Sequence, residues 1–138
     1  MVRQAELPPG VVNIVTGDGR TGAAIVEGEV DKIAFTGSTD VGKAIQRRLA
    51  GTGKRLTLEL GGKAANIIFD DADLDAAVQG AIASKYRNTG QTCVCANRFY
   101  VQAGIYDAFA ERLDRAVATL RVGDGLAGPT EQGPLIDA

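Results

Sequence analysis

Polar and apolar positions in this chain fall into short blocks punctuated by glycine, and the period changes from block to block. Short β-branched runs read as strands: VVNIV (11–15), KIAFT (32–36), RLTLEL (55–60), ANIIF (65–69) and NRFYV (97–101). Several are nearly continuous apolar runs rather than alternating ones, the pattern of strands covered on both faces in a parallel sheet. Helical spacing lies between them. A short helix is predicted between the first two runs, and another after Ser38 with Val41, Ala44, Ile45 and Leu49 inward. From Asp73 onward, Leu74, Ala77, Val78, Ala81 and Ile82 mark one face of an amphipathic helix. Asp70, Asp71 and Asp73 cluster at its start, where a capping oxygen and negative charge are both favoured. A later helix carries Ile105, Phe109, Leu113, Val117 and Leu120 on one stripe, and the Gly/Pro-punctuated tail from Val122 reads as loop. Strands alternating with helices in this way predict an α/β fold with at least part of a parallel sheet.

Composition narrows the classes. At 138 residues the first expectation is one domain, since about 100–200 residues per domain is usual. Hydrophobic residues at 45% and charged residues at 23% fit a soluble globular chain with a core. The net charge is −2 with basic residues scattered, so nothing argues for nucleic acid. No apolar run approaches the roughly 18 residues of a membrane span, the N-terminus lacks a secretory pattern, and a cytoplasmic setting is expected. The chain opens almost directly on a strand-like segment and ends in loop, as an excerpt of a longer protein would. Two cysteines are too few for a disulfide scaffold. Histidine is absent, which rules out Ser-His-Asp and Cys-His sites within the chain and zinc sites that need imidazole. No metal site is expected, and any general base must be a carboxylate, lysine or tyrosine.

Four stretches carry candidate chemistry. Gly17-x-Gly19-x-x-Gly22 matches the spacing of a dinucleotide-binding turn, but no acidic residue closes the next strand, and Asp40 lies past it in the following helix. A plain glycine turn is the preferred reading there. In AFTGSTDVGKAI a strand ends in a glycine turn and Ser38 opens a helix, so Gly37 and Ser38 suit a phosphate at the helix N-terminus. Ser38 as a simple N-cap explains the same residues. Glu59, inside LTLELGGK, is a usable base if it faces a buried cleft, and an ordinary solvated glutamate if it does not. The segment NTGQTCVCANR holds the only cysteines, Cys93 and Cys95, which read either as reactive thiols or as small buried hydrophobes.

Taken together, FTGS, LELGGK, GQTC and GPLID, in that order, resemble the NAD(P)-dependent aldehyde dehydrogenases. The resemblance runs from about Leu7 to Asp137, and FDDADLDAAVQGAIASKYRNTGQTCVCANRFYVQ is most similar to the succinate-semialdehyde dehydrogenases. It implies part of a Rossmann-like cofactor domain over residues 1–60 joined to the start of the catalytic α/β domain over 61–138, both incomplete. By the same resemblance Cys93 is the nucleophile and Glu59 activates the water that hydrolyses the thioester. Gly37 and Ser38 lie against the pyrophosphate of NAD or NADP, Leu60 near the nicotinamide, and Thr16 and Gly17 on the cofactor-side surface. Arg87 fits the position that binds the far carboxylate of a semialdehyde, as a guanidinium fork would. Cys95 is a candidate redox partner for Cys93. A small-molecule aldehyde is the implied substrate, and homo-oligomers are implied for the full-length family. With both domains incomplete, this chain alone is expected to be weakly active or inactive, and the alternative is a non-enzymatic remnant or interaction module with a redox-reactive Cys-x-Cys.

Overall fold

The computed structural model describes residues 6–136. The chain divides into two compact units, Met1–Glu59 and Leu60–Ala138. Each is built on one pair of parallel strands joined through a helix, the connection that parallel neighbours require.

In the first unit, helix α1 (Gly19–Glu27) precedes strand β1 (Lys32–Thr36), helix α2 (Thr39–Leu49) and strand β2 (Arg55–Glu59). Strands β1 and β2 run parallel, with Ile33 opposite Leu56 and Thr36 opposite Glu59. Ser38 caps α2, its hydroxyl accepting from the Val41 N–H at 3.3 Å, and Arg47 and Arg48 in the last turn suit the negative helix end. Val26, Ile33 and Leu49 are buried together, with Phe35, Ile45 and Leu56 packed against them. Burying each such side chain stabilises by about 1.5–3 kcal/mol. The Lys54 ammonium donates to the Val26 and Gly28 carbonyls at 3.0 and 2.7 Å, closing the end of α1 onto the β2 side.

In the second unit, strand β3 (Ala64–Ile68), helix α3 (Leu74–Lys85) and strand β4 (Ala96–Val101) form the second parallel crossover, and helix α4 (Tyr106–Ala118) packs on α3. Asp73 caps α3 by accepting from the Asp75 and Ala76 N–H groups at 2.9 and 3.1 Å. Ile68, Val78, Ala81 and Phe109 form the core, with Leu74, Ala77, Phe99, Val101, Ile105 and Leu113 around it. The Phe99 and Phe109 rings sit 6.3 Å apart, centre to centre, tilted by 38°.

Strands β1 to β4 and the helices after Ser38, Asp73 and Ile105 lie where the sequence predicts them. The run VVNIV at 11–15 does not become a strand. Among the described residues it joins no strand ladder, its one backbone bond being the Val11 N–H to the Pro8 carbonyl at 3.3 Å, and Ile14 stays 85% exposed. An extended apolar run without a neighbouring ladder has no reason to hold strand geometry. The expectation of strands covered on both faces also fails. Burial alternates along β1 and β2, because within this unit each strand meets core on one side only. Val41 and Ala44, expected inward, are exposed. Leu120 lies beyond the end of α4 at Ala118, its N–H bonded to the Val117 carbonyl at 3.0 Å. No helix among the described residues is long and apolar enough to cross a membrane.

Candidate active site

The carboxyl ends of β1 and β2 bring several predicted residues together. The Gly37 N–H donates to the Glu59 carbonyl at 3.0 Å, so the FTGS turn and the LELGG stretch meet at one end of the parallel pair. Ligands of open α/β sheets bind at this end. A Cβ at Gly37 would fall 2.5 Å from the Phe35 ring, which explains glycine at this turn. The Ser38 cap satisfies Val41 and leaves the first N–H groups of α2 to face an incoming anion. The Glu59 carboxylate is exposed, not sunk in an apolar cleft, although it closes an apolar strand. Leu60 is half-buried and opens the second unit.

Along β1, between α1 and α2, lies a cavity of about 650 Å³, lined by Gly22, Ala23 and Ile25 of α1 and by Val41, Ala44 and Ile45 of α2, with Lys32 and Arg48 also contributing. Arg48 is ion-paired to Glu27. The exposed apolar side chains of α2 therefore serve this hollow, a role their helical spacing disguises as core. Thr16 and Gly17 lie in extended chain leading into α1 and do not line the cavity. A Cβ at Gly17 would fall 2.0 Å from the Thr21 hydroxyl oxygen, so close packing on Thr21 accounts for that glycine. Among the described residues no strand precedes Gly17, and the Asp18 carboxylate takes the α1 N-terminus for itself, accepting from the Arg20 N–H at 2.9 Å. Its bond to the Arg20 side chain, followed by that to the Arg20 backbone, holds the carboxyl below its ordinary range. Gly19 and Gly22 lie inside α1, so the glycine spacing is a helix start capped by Asp18 and not the plain turn preferred from sequence.

In the second unit Cys93 and Val94 occupy the centre of a turn closed by the Cys95 N–H on the Thr92 carbonyl at 3.1 Å. Both cysteines are free, and the two sequence readings divide between them: Cys93 is exposed, and Cys95 is buried at 1% exposure with its sulfur 3.7 Å from the Lys85 carbonyl oxygen. Gly62 of LELGGK comes alongside, its virtual Cβ 3.5 Å from the Cys93 carbonyl oxygen. The Gly62 carbonyl accepts from Asn97 at 2.6 Å, and Asn97 in turn accepts from Lys85 at 2.9 Å.

Between α3 and this turn the backbone does something that periodicity does not foretell. Asn88, Thr89 and Gly90 take successive left-handed conformations, with φ of 51°, 56° and 78°. Asparagine and glycine accept that region readily; a β-branched threonine does not. Such strain, about 1–3 kcal/mol per residue, persists where the surroundings over-determine it, and it concentrates at functional loops. Arg87 opens this loop, exposed, and no carboxylate among the described residues is in ion-pair range of it. The Thr92 hydroxyl donates to the Arg87 carbonyl at 3.3 Å, linking the arginine's backbone to the residue before Cys93.

The tail, expected as plain loop, is fixed. Val122 and Gln132 form an isolated parallel bridge, and Arg121 pairs with Glu131 through side chain and backbone. The Arg121 side-chain bonds lower the Glu131 pKa to about 2, and the Arg121 guanidinium is raised in return. Gln132 is 7% exposed and donates from Nε2 to the Tyr86 carbonyl at 2.8 Å. Thr89 donates to the Gly133 carbonyl at 3.3 Å, and Gln91 Oε1 accepts from the Ile136 N–H at 3.0 Å. GPLID was read from sequence only as a signature; Asp137 lies outside the described residues, and the part that touches the loop is Gln132 to Ile136.

The chain belongs to the aldehyde dehydrogenase family, which it matches over residues 1–138. Among curated relatives it is 55% identical to a glutarate-semialdehyde dehydrogenase of Pseudomonas putida, over 99% of this chain and 29% of that protein. It is 54% identical to the NADP(+) succinate-semialdehyde dehydrogenase of Escherichia coli, over 97% of this chain and 28% of the relative. Its fold matches the crystal structure of succinate-semialdehyde dehydrogenase from Burkholderia pseudomallei with a TM-score of 0.92 at 54% identity, over 99% of this chain and 29% of that one. The chain thus spans under a third of the length of these relatives.

Proposed function

We propose that this chain carries the nucleophile, the base and part of the cofactor surface of an NAD(P)-dependent dehydrogenase acting on a semialdehyde such as succinate semialdehyde. The observation that carries the reading is the solvent-facing Cys93 thiol, on a turn tied through Thr92 to the backbone of Arg87. In this reading residues 1–60 belong to the cofactor domain and 61–138 to the catalytic domain.

The Cys93 thiolate adds to the aldehyde carbon to give a thiohemiacetal, whose oxyanion is held in part by the Cys93 N–H. A nicotinamide held there would supply the hydride acceptor needed to take the thiohemiacetal to the thioester. Glu59 takes a proton from water, the water oxygen attacks the thioester carbon, and the carboxylic acid leaves with the Cys93 sulfur restored. The Arg87 guanidinium holds the substrate's second carboxylate. Gly37, Ser38 and the first N–H groups of α2 suit a pyrophosphate, Leu60 the nicotinamide side, and Thr16 and Gly17 the outer surface. The hollow between α1 and α2, apolar on both helices and beside the anion-ready end of α2, fits the flat ring at the other end of NAD or NADP.

The test is NAD(P)H formation by the purified chain with succinate semialdehyde and either nucleotide, next to Cys93→Ala. Because the chain spans under a third of its relatives' length, the expected result is weak Cys93-dependent NAD(P)H formation, or an acyl adduct on Cys93 without sustained turnover. A folded chain giving neither nicotinamide reduction nor an acyl adduct on Cys93 would favour the second reading, a non-enzymatic interaction module. The exposed Ile67, Phe69 and Tyr100 at the β3–β4 face are the observation that speaks for it.

For Cys95 we propose a redox role: peroxide oxidises the exposed Cys93 thiol to the sulfenic acid, and the Cys95 thiol displaces water from it to form the disulfide. Because Cys95 is buried, the turn must open first. Peptide mass spectrometry after peroxide treatment is expected to show a Cys93–Cys95 link that dithiothreitol reverses. Its absence, with Cys93 overoxidised instead, leaves Cys95 a packing residue.

A further inference from the structure

The left-handed loop Arg87–Gly90 is held from outside itself. Gln132 grips the Tyr86 carbonyl on one side of the strained residues, and Ile136 grips the Gln91 side chain on the other. Between them the Thr89 hydroxyl, from the least tolerant left-handed residue, reaches the Gly133 carbonyl. The partners lie more than forty residues away in sequence. Gln132 is buried for this one contact: its Oε1 is sealed from solvent and has no partner. The amide cannot be reversed, since Tyr86 offers only an acceptor there. The segment carrying Gln132 is itself anchored by the Arg121–Glu131 pair and by the Gly123 N–H on the Gln132 carbonyl at 3.0 Å.

We propose that Gln132 is a positioning residue for substrate selection: with Thr89 and Gly133 it holds the loop in the one shape that sets the Arg87 guanidinium and the Cys93 thiol as a pair for an anionic electrophile. This rests on the reading of Cys93 as nucleophile and Arg87 as carboxylate ligand. Among the described residues no carboxylate pairs with Arg87, so the backbone beneath it sets its place. That backbone has bonds of its own, from the Gln91 N–H to the Asn88 carbonyl and from the Thr92 hydroxyl to the Arg87 carbonyl, and the Gln132–Ile136 segment adds the contacts from outside that over-determine it.

The experiment uses the intact chain and two small alkylating probes of nearly equal shape, anionic iodoacetate and neutral iodoacetamide. Their rates at Cys93 are resolved by peptide mass spectrometry, and their ratio is compared with that for N-acetylcysteine. The wild-type ratio is expected to favour iodoacetate over the free thiol, and Arg87→Ala to remove that preference, a change of roughly two- to fivefold. Gln132→Met, which keeps the length and removes the donor, is expected to lower the ratio to the Arg87→Ala value with the iodoacetamide rate little changed. Loss of fold alone would change both rates together. Thr89→Val, which removes the other side of the same brace, is expected to act alike and carries the test should Gln132→Met fail to fold. A wild-type ratio in folded Gln132→Met, or both rates moving in parallel, overturns the inference while a lowered ratio in Arg87→Ala keeps the reading of Arg87. An unchanged ratio in Arg87→Ala overturns the reading and the inference with it.

Discussion

Replacing Phe109 by alanine is expected to lower the stability of the second unit by about 3–5 kcal/mol. Phe109 is 2% exposed and lies among Ile68 of β3 and Val78 and Ala81 of α3, with the Phe99 ring of β4 alongside. It therefore joins both strands and both helices of that unit, and it is the largest of the buried side chains in that core. Alanine would leave a cavity that backbone elements crossing at one point cannot collapse to fill. Small domains are stable by only about 5–15 kcal/mol in all, so the loss is a large share of the total. Urea unfolding followed by circular dichroism, with Phe109→Leu as the milder comparator, measures it. A loss below about 1 kcal/mol would mean that α4 does not dock as described. The same substitution is expected to expose Cys95 to thiol reagents, because the strand that begins just after Cys95 loses its support.

What the sequence made legible is whatever local period and local spacing encode. The α3 face from Leu74 to Ile82 and the caps at Ser38 and Asp73 needed only neighbours three or four positions apart, and they lie as expected. The strand expected at 11–15 failed because strand formation depends on a partner backbone, which an apolar run does not specify. Val41 and Ala44 misled for a related reason. Apolar spacing on a helix states that a face is apolar, not whether it meets core or a hollow. At the candidate site, the order of FTGS, LELGGK and GQTC marked out the residues, and Gly37 and Glu59 do meet through their backbones. The left-handed loop had one weak local sign, asparagine and glycine flanking Thr89. The part played by Gln132 had none, because its partner is Tyr86, and no period joins residues so far apart in sequence.

In the glutamine variant of Glu59, Glu59→Gln, the first half of the proposed reaction is expected to survive and the second to fail. Glutamine keeps the shape of the side chain and can still orient a water molecule, but its amide cannot accept the proton. Glu59 is exposed at the end of β2, and its backbone carbonyl bond to Gly37 is untouched by the change, so the fold should hold. Mixing with aldehyde and nucleotide is then expected to give one equivalent of NAD(P)H per Cys93, followed by a steady rate lower by about 10²–10⁴, the usual worth of general base catalysis. Intact mass spectrometry is expected to find the acyl group on Cys93. Cys93→Ala must abolish the burst as well, which separates a missing nucleophile from a missing base. Hydroxylamine supplies the sharpest control: it attacks a thioester without help from a base, and so is expected to discharge the Glu59→Gln adduct and restore turnover. Undiminished hydrolysis in Glu59→Gln would place the proton acceptor elsewhere, and with histidine absent from the chain it would have to be another carboxylate, a lysine or a tyrosine.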